Sequence, residues 1–151
     1  MEALKRMITI RKMRDKDLEI VAVMEKQIFP DPWSYDAFRS DLNNEMAWPL
    51  VAVIDDIVVG YACLYIVAGE VQIGNFAVST DYRKQGIAKV MMNEIIKITQ
   101  DRKCDSIFLE VRESNVPAQN LYSSFGFNSV GRRVGYYRNP RENAIIMAKE
   151  F

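Results

Sequence analysis

The sequence predicts a single mixed α/β (α+β) domain built on one mostly antiparallel sheet of six to seven strands. Three strand-like segments joined by short turns lie between Trp48 and Val78, which predicts an antiparallel meander. A strand–helix–strand unit from Ile73 to Val111 places one parallel pair in the same sheet. With 151 residues, the chain is long enough to bury a core as one domain, which we expect to span residues 1–151.

The N-terminal part of the chain predicts one strand and two helices. Alternating apolar residues indicate a strand over Met7 to Arg11, and Asp15 or Asp17 can begin the helix that follows. One face of this helix is mostly apolar: Leu18, Val21, Ala22, Glu25 and Ile28. The prolines of the Phe29–Trp33 segment end it, and Ser34 can cap a second, short helix that carries Tyr35, Phe38 and Leu42 along one side.

The middle of the chain contains the meander. Its strands are predicted at Trp48–Ile54, Ile57–Val67 and Glu70–Val78. The turns between them are short, with Asp55-Asp56 in the first and Ala68-Gly69 in the second. These strands therefore lie side by side in chain order.

The C-terminal half alternates helices and strands. We predict a helix from about Gly86 to Asp101 and a buried, central strand over Ser106–Val111 because that segment is so apolar. Asn115 can cap the next helix, which Gly126 ends. Two further strands are predicted at Asn128–Tyr136 and Asn143–Glu150.

Composition narrows the possible chemistry. Twenty basic residues balance twenty acidic ones, so a direct nucleic-acid binder is not expected. The chain has no histidine, which removes the commonest general base and zinc ligand, and no metal is expected. A general base must then be a carboxylate, tyrosine, lysine or cysteine. Cys63 and Cys104 are predicted to be buried or loop thiols without a disulfide.

The chain has no segment that predicts a membrane or secretory protein. The longest apolar run, Trp48–Ile54, is too short to span a bilayer. Residues 1–7 have no apolar core, so we expect no signal peptide, a disordered segment over residues 1–6 and a cytoplasmic location. The sequence is compatible with a monomer or a dimer.

A cationic turn between a strand and a helix is the first candidate site. It consists of Arg83, Lys84, Gln85, Gly86, Ile87, Ala88 and Lys89. Backbone N–H groups at a helix start together with positive charge favour a phosphate ligand. The P-loop and dinucleotide glycine motifs are both absent. A solvated helix end is the alternative interpretation.

The pattern Arg83-x-x-Gly86-x-Ala88 after a strand resembles the pyrophosphate-binding motif of the GNAT acyltransferases, which bind acetyl-CoA. The predicted order of elements is similar to the GNAT fold over the whole chain, which implies four helices on the two faces of the sheet. In that family the strand before the turn separates from its neighbour, and the pantetheine arm pairs with it. The resemblance implies acetyl-CoA contacts from the cationic turn and from Phe76, Ala77, Val78 and Asn115.

Two residues are candidates for proton transfer. Glu110 stands in the otherwise apolar Ile107–Val111 segment, where burial would favour an uncharged carboxyl group and so suit a general base. It could instead be a strand-end carboxylate facing water or a partner of Arg112. Tyr122 lies on a helical face with Ala118, Leu121 and Phe125; it is either a core tyrosine or a proton donor.

Longer blocks, Leu109–Asn115 and Phe125–Phe127 among them, are similar to GNAT enzymes that acetylate the N-terminal alanine of a small-subunit ribosomal protein. That similarity implies Glu110 as proton acceptor and Tyr122 as proton donor. It also implies a protein N-terminus as substrate, entering between the Phe29–Trp33 loop and the Tyr136–Tyr137 segment. From these segments we predict contacts to the peptide from Phe29, Trp33, Tyr136 and Tyr137.

Three alternatives stay open. The domain could acetylate many nascent chains or small amines, or bind acyl-CoA without catalysis. A third possibility is ribosome or RNA binding through a local basic cluster, for which a solvated face or a guide for acidic substrates is the competing interpretation: Arg132, Arg133, Arg138 and Arg141.

Overall fold

One seven-stranded sheet forms the centre of the computed structural model, which describes residues 7–151. The expectation of disorder over residues 1–6 concerns residues outside this range. The sheet order is β1-β2-β3-β4-β5-β7-β6. The strands are β1 (Thr9–Lys12), β2 (Ala47–Ile54), β3 (Ile57–Val67), β4 (Glu70–Val78), β5 (Ser106–Arg112), β6 (Asn128–Tyr137) and β7 (Glu142–Glu150).

Within the described part of the chain, four α-helices cover the sheet: α1 (Leu18–Ile28), α2 (Tyr35–Leu42), α3 (Ile87–Asp101) and α4 (Val116–Ser124). Buried residues of α1 and α2, such as Val21 and Phe38, pack on one face of the sheet. Those of α3 and α4, such as Ile95 and Tyr122, pack on the other. The predicted fold class and the placement of helices on both faces are confirmed.

Most helix and strand boundaries lie close to the residues that the sequence predicted. The Ser34 hydroxyl caps α2 by accepting from Ala37 N–H at 3.1 Å. Asp15 and Asp17 instead form a short 3-10 turn before α1, and the Asp17 carboxylate binds Arg11 rather than capping the helix. The first strand starts at Thr9, two residues after the predicted Met7, where pairing with β2 begins.

The single parallel pair, β4 and β5, opens partway along its length. Pairing runs from Glu70–Ser106 to Ile73–Leu109 and then stops, although both strands continue. Gly74 is the extra residue of a β-bulge, because Cys63 and Leu64 of β3 face Asn75 and Ile73. A Cβ on Gly74 would lie 2.7 Å from the Tyr65 ring. A bulge bends its strand, so β4 turns away from β5 at this glycine.

Both cysteines are buried and free, as predicted. Within residues 7–151, no helix combines the length and apolar character that crossing a bilayer requires.

Candidate active site

A cavity of about 810 Å³ lies where β4 and β5 separate. The start of α3 forms one end of its wall, and the Phe29–Trp33 segment with Tyr137 forms another part. Glu110 and Tyr122 also line it. The structure therefore brings the predicted site residues together, with two exceptions: Gln85 and Tyr136 are not part of the lining.

The start of α3 presents free backbone donors. The first intrahelical hydrogen bond runs from Val90 N–H to the Gly86 carbonyl at 3.1 Å, so the preceding N–H groups have no helical acceptor. No side chain of residues 7–151 caps this end, and the first turn holds no acidic residue. Lys84 and Gly86 have left-handed backbone, with φ of 64° and 82°. With the nearby cations Arg83 and Lys89, this arrangement suits a phosphate group.

On the open edge of β4, the backbone N–H of Val78 has no hydrogen-bond partner among the described residues. Ser79 N–H donates to Val59 O at 2.8 Å, so strand alternation directs the N–H groups of Val78 and Phe76 to the opposite edge, toward β5. The Phe76 N–H is already bound by Asn75 Oδ1 at 3.0 Å. Arg83 Nε donates to the Val78 carbonyl at 3.3 Å, whereas the Val78 N–H makes no hydrogen bond within residues 7–151.

Glu110 is half-buried rather than buried, which corrects the prediction. Strand alternation turns Ile107, Leu109 and Val111 into the core and leaves Glu110 on the other face, where 23% of its side chain is exposed. Its partner is Arg133, whose Nε lies 2.8 Å from Oε2. The alternative partner, Arg112, instead binds Glu142 at 3.1 Å.

Tyr122 is both a core residue and a cavity residue. Its ring packs against Phe76 and Phe127, with centroids 6.1 and 6.0 Å away. None of the described residues hydrogen-bonds its hydroxyl, although the residue lines the cavity. Burial raises the pKa of Tyr122 to about 12, so the phenol keeps its proton at neutral pH.

Asn115 caps α4, as predicted. Its Oδ1 accepts from Ala118 N–H at 3.2 Å, and the residue also lines the cavity. The capping role and a contact with a ligand are therefore compatible.

The predicted peptide entrance is bridged by side chains. Asp31 accepts hydrogen bonds from Arg138 N–H at 3.2 Å and from Asn139 Nδ2 at 2.7 Å, which joins the Phe29–Trp33 loop to the β6–β7 turn. Tyr136 lies outside the cavity, where its ring meets Tyr137 edge-on at 5.0 Å. Its place at the end of an exposed strand explains why it faces solvent.

The basic cluster is partly neutralised. Arg132 pairs with Glu113 at 3.3 Å, and Arg133 pairs with Glu110. Arg138 contributes its backbone to the bridge at the entrance. These contacts, together with the exposure of Arg132 and Arg133, favour the interpretation of the cluster as a solvated face.

Sequence reasoning missed Glu25 as a site residue. It is almost fully buried and lines the cavity. The available signal was a lone carboxylate on the apolar face of α1.

Among the described residues, no cluster of three His, Cys, Asp or Glu side chains could hold a metal ion.

An opened parallel strand pair leads to a cationic helix start, which agrees with the expected class of acyl-CoA-dependent transferases. The model of the Acetyltransferase (GNAT) family matches residues 13–127, and the chain belongs to this family. It is an acetyl-CoA-dependent N-acetyltransferase.

The alignments with similar proteins cover nearly the whole chain. The ribosomal protein bS18-alanine N-acetyltransferase of Escherichia coli K12 is 33% identical over 144 residues, covering 94% of this chain and 97% of that protein. The crystal structure of the Escherichia coli enzyme superposes with a TM-score of 0.88 at 32% identity, over 95% and 94% of the two chains. Arabidopsis thaliana Naa50, in complex with the bisubstrate analogue CoA-Ac-MVNAL, has a TM-score of 0.82 at 25% identity, over 95% and 99%.

Proposed function

We propose that this protein acetylates the N-terminal amine of a protein, and that its substrate is the N-terminal alanine of a small-subunit ribosomal protein of the bS18 type. The observation that carries the proposal is one cavity lined by Glu110, Tyr122 and the start of α3. The similarity to bS18-alanine N-acetyltransferases supports the choice of acceptor. The reaction belongs in the cytoplasm, where ribosomal proteins are made.

The start of α3 would hold the diphosphate of acetyl-CoA. Free N–H groups and the charges of Arg83, Lys84 and Lys89 fit its phosphates. Gln85 lies within the same turn but outside the cavity lining, so its expected contact with acetyl-CoA would be at the rim of the cavity. The opened edge of β4 fits an extended arm that leads toward Glu110.

Glu110 would act as the proton acceptor. An α-amine has a pKa of roughly 8, so only about a tenth is uncharged at neutral pH. Glu110 takes the amine proton, directly or through water, as the nitrogen bonds to the thioester carbonyl carbon. The Val78 N–H can stabilise negative charge on the carbonyl oxygen because it has no strand partner on the open edge.

Tyr122 would act as the proton donor. When the C–S bond breaks, the phenol transfers its proton to the leaving sulfur. Burial raises its pKa to about 12, so the phenol carries a proton at neutral pH when the thiolate forms. The lack of another hydrogen-bond partner among the described residues leaves the hydroxyl available to the cavity.

The acceptor would enter beside Phe29, Trp33 and Tyr137. These side chains line the cavity. The hydrogen bonds of Asp31 join this loop to the β6–β7 turn, so both segments can border an extended peptide terminus. Tyr136 would contact the peptide only beyond the cavity.

The test is acetyl-CoA turnover with peptides that differ only in their first two residues. We expect the highest kcat/KM for a peptide that begins with alanine. Equal rates for all peptides would favour a broad nascent-chain enzyme, and turnover of free amines alone would favour a small-amine enzyme. Acetyl-CoA binding without turnover of any amine would identify a binding module.

The Glu110→Gln variant tests the proton acceptor. We expect kcat to fall on the order of 10²- to 10⁴-fold at neutral pH, as for loss of a general base. Glu113→Gln is the matched control, because Glu113 pairs with Arg132 and does not line the cavity. Near wild-type turnover by Glu110→Gln would remove Glu110 from this role.

A further inference from the structure

One buried carboxylate, that of Glu25, connects the Phe29–Trp33 loop to strands β3 and β4. Only 1% of Glu25 is exposed. Its Oε1 accepts from the Tyr61 hydroxyl of β3 at 2.7 Å and from Asn75 Nδ2 of β4 at 2.8 Å. Its Oε2 accepts from the backbone N–H of Trp33 at 3.0 Å. One oxygen therefore binds the sheet, and the other binds the loop at the peptide entrance.

These donors leave Glu25 unsuited to proton transfer. Both of its oxygens already accept hydrogen bonds, and the side chain is screened from solvent. Burying a carboxylate is costly unless such bonds compensate for lost hydration. A role that depends on its geometry explains this placement better than a role in accepting a proton.

The contacts of Glu25 lie near the point where β4 separates from β5. Asn75 follows the Gly74 bulge, and its Oδ1 accepts from the Phe76 N–H. A Cβ on Gly74 would be 3.4 Å from the Trp33 ring, so the loop packs directly on the bulge. Glu25 thus ties the Phe29–Trp33 loop to the strand segment that separates from β5.

We infer that Glu25 is a positioning residue for the acceptor: it fixes the distance between the entrance loop and the opened strand. This inference rests on the proposed function, because it assigns the loop to the binding of a peptide terminus. It predicts that loss of the Oε2 contact weakens peptide binding and leaves acetyl-CoA binding at α3 unchanged.

The Glu25→Gln variant tests the hydrogen bond of Oε2 separately from those of Oε1. Its amide oxygen can still accept from Tyr61 and Asn75, whereas its amide nitrogen cannot accept from Trp33 N–H. We expect KM for an alanine-starting peptide to rise about tenfold, the ratio that corresponds to one hydrogen bond to a charged group. The kcat and the KM for acetyl-CoA should stay near wild-type values.

The matched control is Asp41→Asn. Asp41 is also buried, with 7% exposed, and accepts the Tyr65 hydroxyl at 2.7 Å, but it does not line the cavity. We expect this variant to lower Tm without changing KM for the peptide. Glu25→Asp is a second test variant, because it keeps the charge but is too short to reach all three donors; its peptide KM should also rise.

The outcomes distinguish the two proposals. Wild-type protein that acetylates no peptide N-terminus would overturn the proposed function. An active wild type together with Glu25 variants that lose Tm but keep the wild-type peptide KM would overturn the positioning role. A rise in the KM for acetyl-CoA alone would also overturn it, since that result would assign Glu25 to the opened strand rather than to the loop.

Discussion

The Glu110 carboxylate and the Arg133 guanidinium lie 2.8 Å apart, on β5 and β6, which are separated in the sheet by β7. Arg133 is more than half exposed, whereas Glu110 is mostly covered. The guanidinium therefore binds one carboxylate oxygen of Glu110, the proposed proton acceptor, from the solvent side. An incoming amine would have to share or replace this contact.

Replacing Arg133 tests that competition. We expect Arg133→Gln to raise kcat/KM for the peptide about two- to fivefold, because exposed ion pairs contribute up to about 1 kcal/mol. Initial rates at low peptide concentration measure the effect. Arg132→Gln, which removes a similar arginine paired with Glu113, should leave kcat/KM unchanged. A drop in kcat/KM for Arg133→Gln would show that Arg133 holds Glu110 in place.

Removal of one hydroxyl tests the proton donor. We expect Tyr122→Phe to lower kcat about a hundredfold, as for loss of a general acid. Its Tm should stay near wild type because the ring keeps its packing against Phe76 and Phe127. Turnover and thermal unfolding of the same sample measure both. Unchanged turnover would leave Tyr122 with its core role alone.

Two glycines with the same backbone conformation test the start of α3. Gly86 and Gly69 have φ of 82° and 80°, and a Cβ on either would meet no atom closer than 3.8 Å. Alanine should destabilise the protein by roughly 1–2 kcal/mol at each position because left-handed backbone disfavours a Cβ. Only Gly86→Ala should also raise the KM for acetyl-CoA. Equal KM values for the two variants would contradict the proposed diphosphate site.

The Arg11–Asp17 pair predicts a pH-dependent contribution to stability. Burial by itself would raise the pKa of Asp17. Hydrogen bonds from Arg11 and the Arg14 N–H outweigh this effect and hold the pKa below its usual value. Such a carboxylate stabilises the fold at neutral pH and loses this effect as pH falls through its lowered pKa. Asp17→Asn should therefore cost about 1.5–3 kcal/mol at pH 7 and progressively less below about pH 4.

Denaturant unfolding at pH 7 and pH 3 checks this prediction. Asp15→Asn is the control, because Asp15 is an exposed acid in the same 3-10 turn. A cost of Asp17→Asn that is equal at both pH values would contradict the electrostatic origin of the stabilisation.

Much of the site could be predicted because its signals are local. The cationic helix start, the cap at Asn115 and the strand around Glu110 are each contained within a few residues. The exceptions depend on side-chain direction. Gln85 and Tyr136 belong to the predicted segments but do not line the cavity, and Glu25 was missed because its three partners come from distant parts of the chain.

The amino-acid sequence by itself determined the order of helices and strands and the cationic turn, because periodicity, caps and glycines act between neighbouring residues. Only the tertiary structure decided where β4 leaves β5, that Arg133 rather than Arg112 binds Glu110, and how Glu25 ties a loop to the sheet. Those features arise from contacts between segments far apart in the chain, and no local pattern specifies which distant side chains will meet.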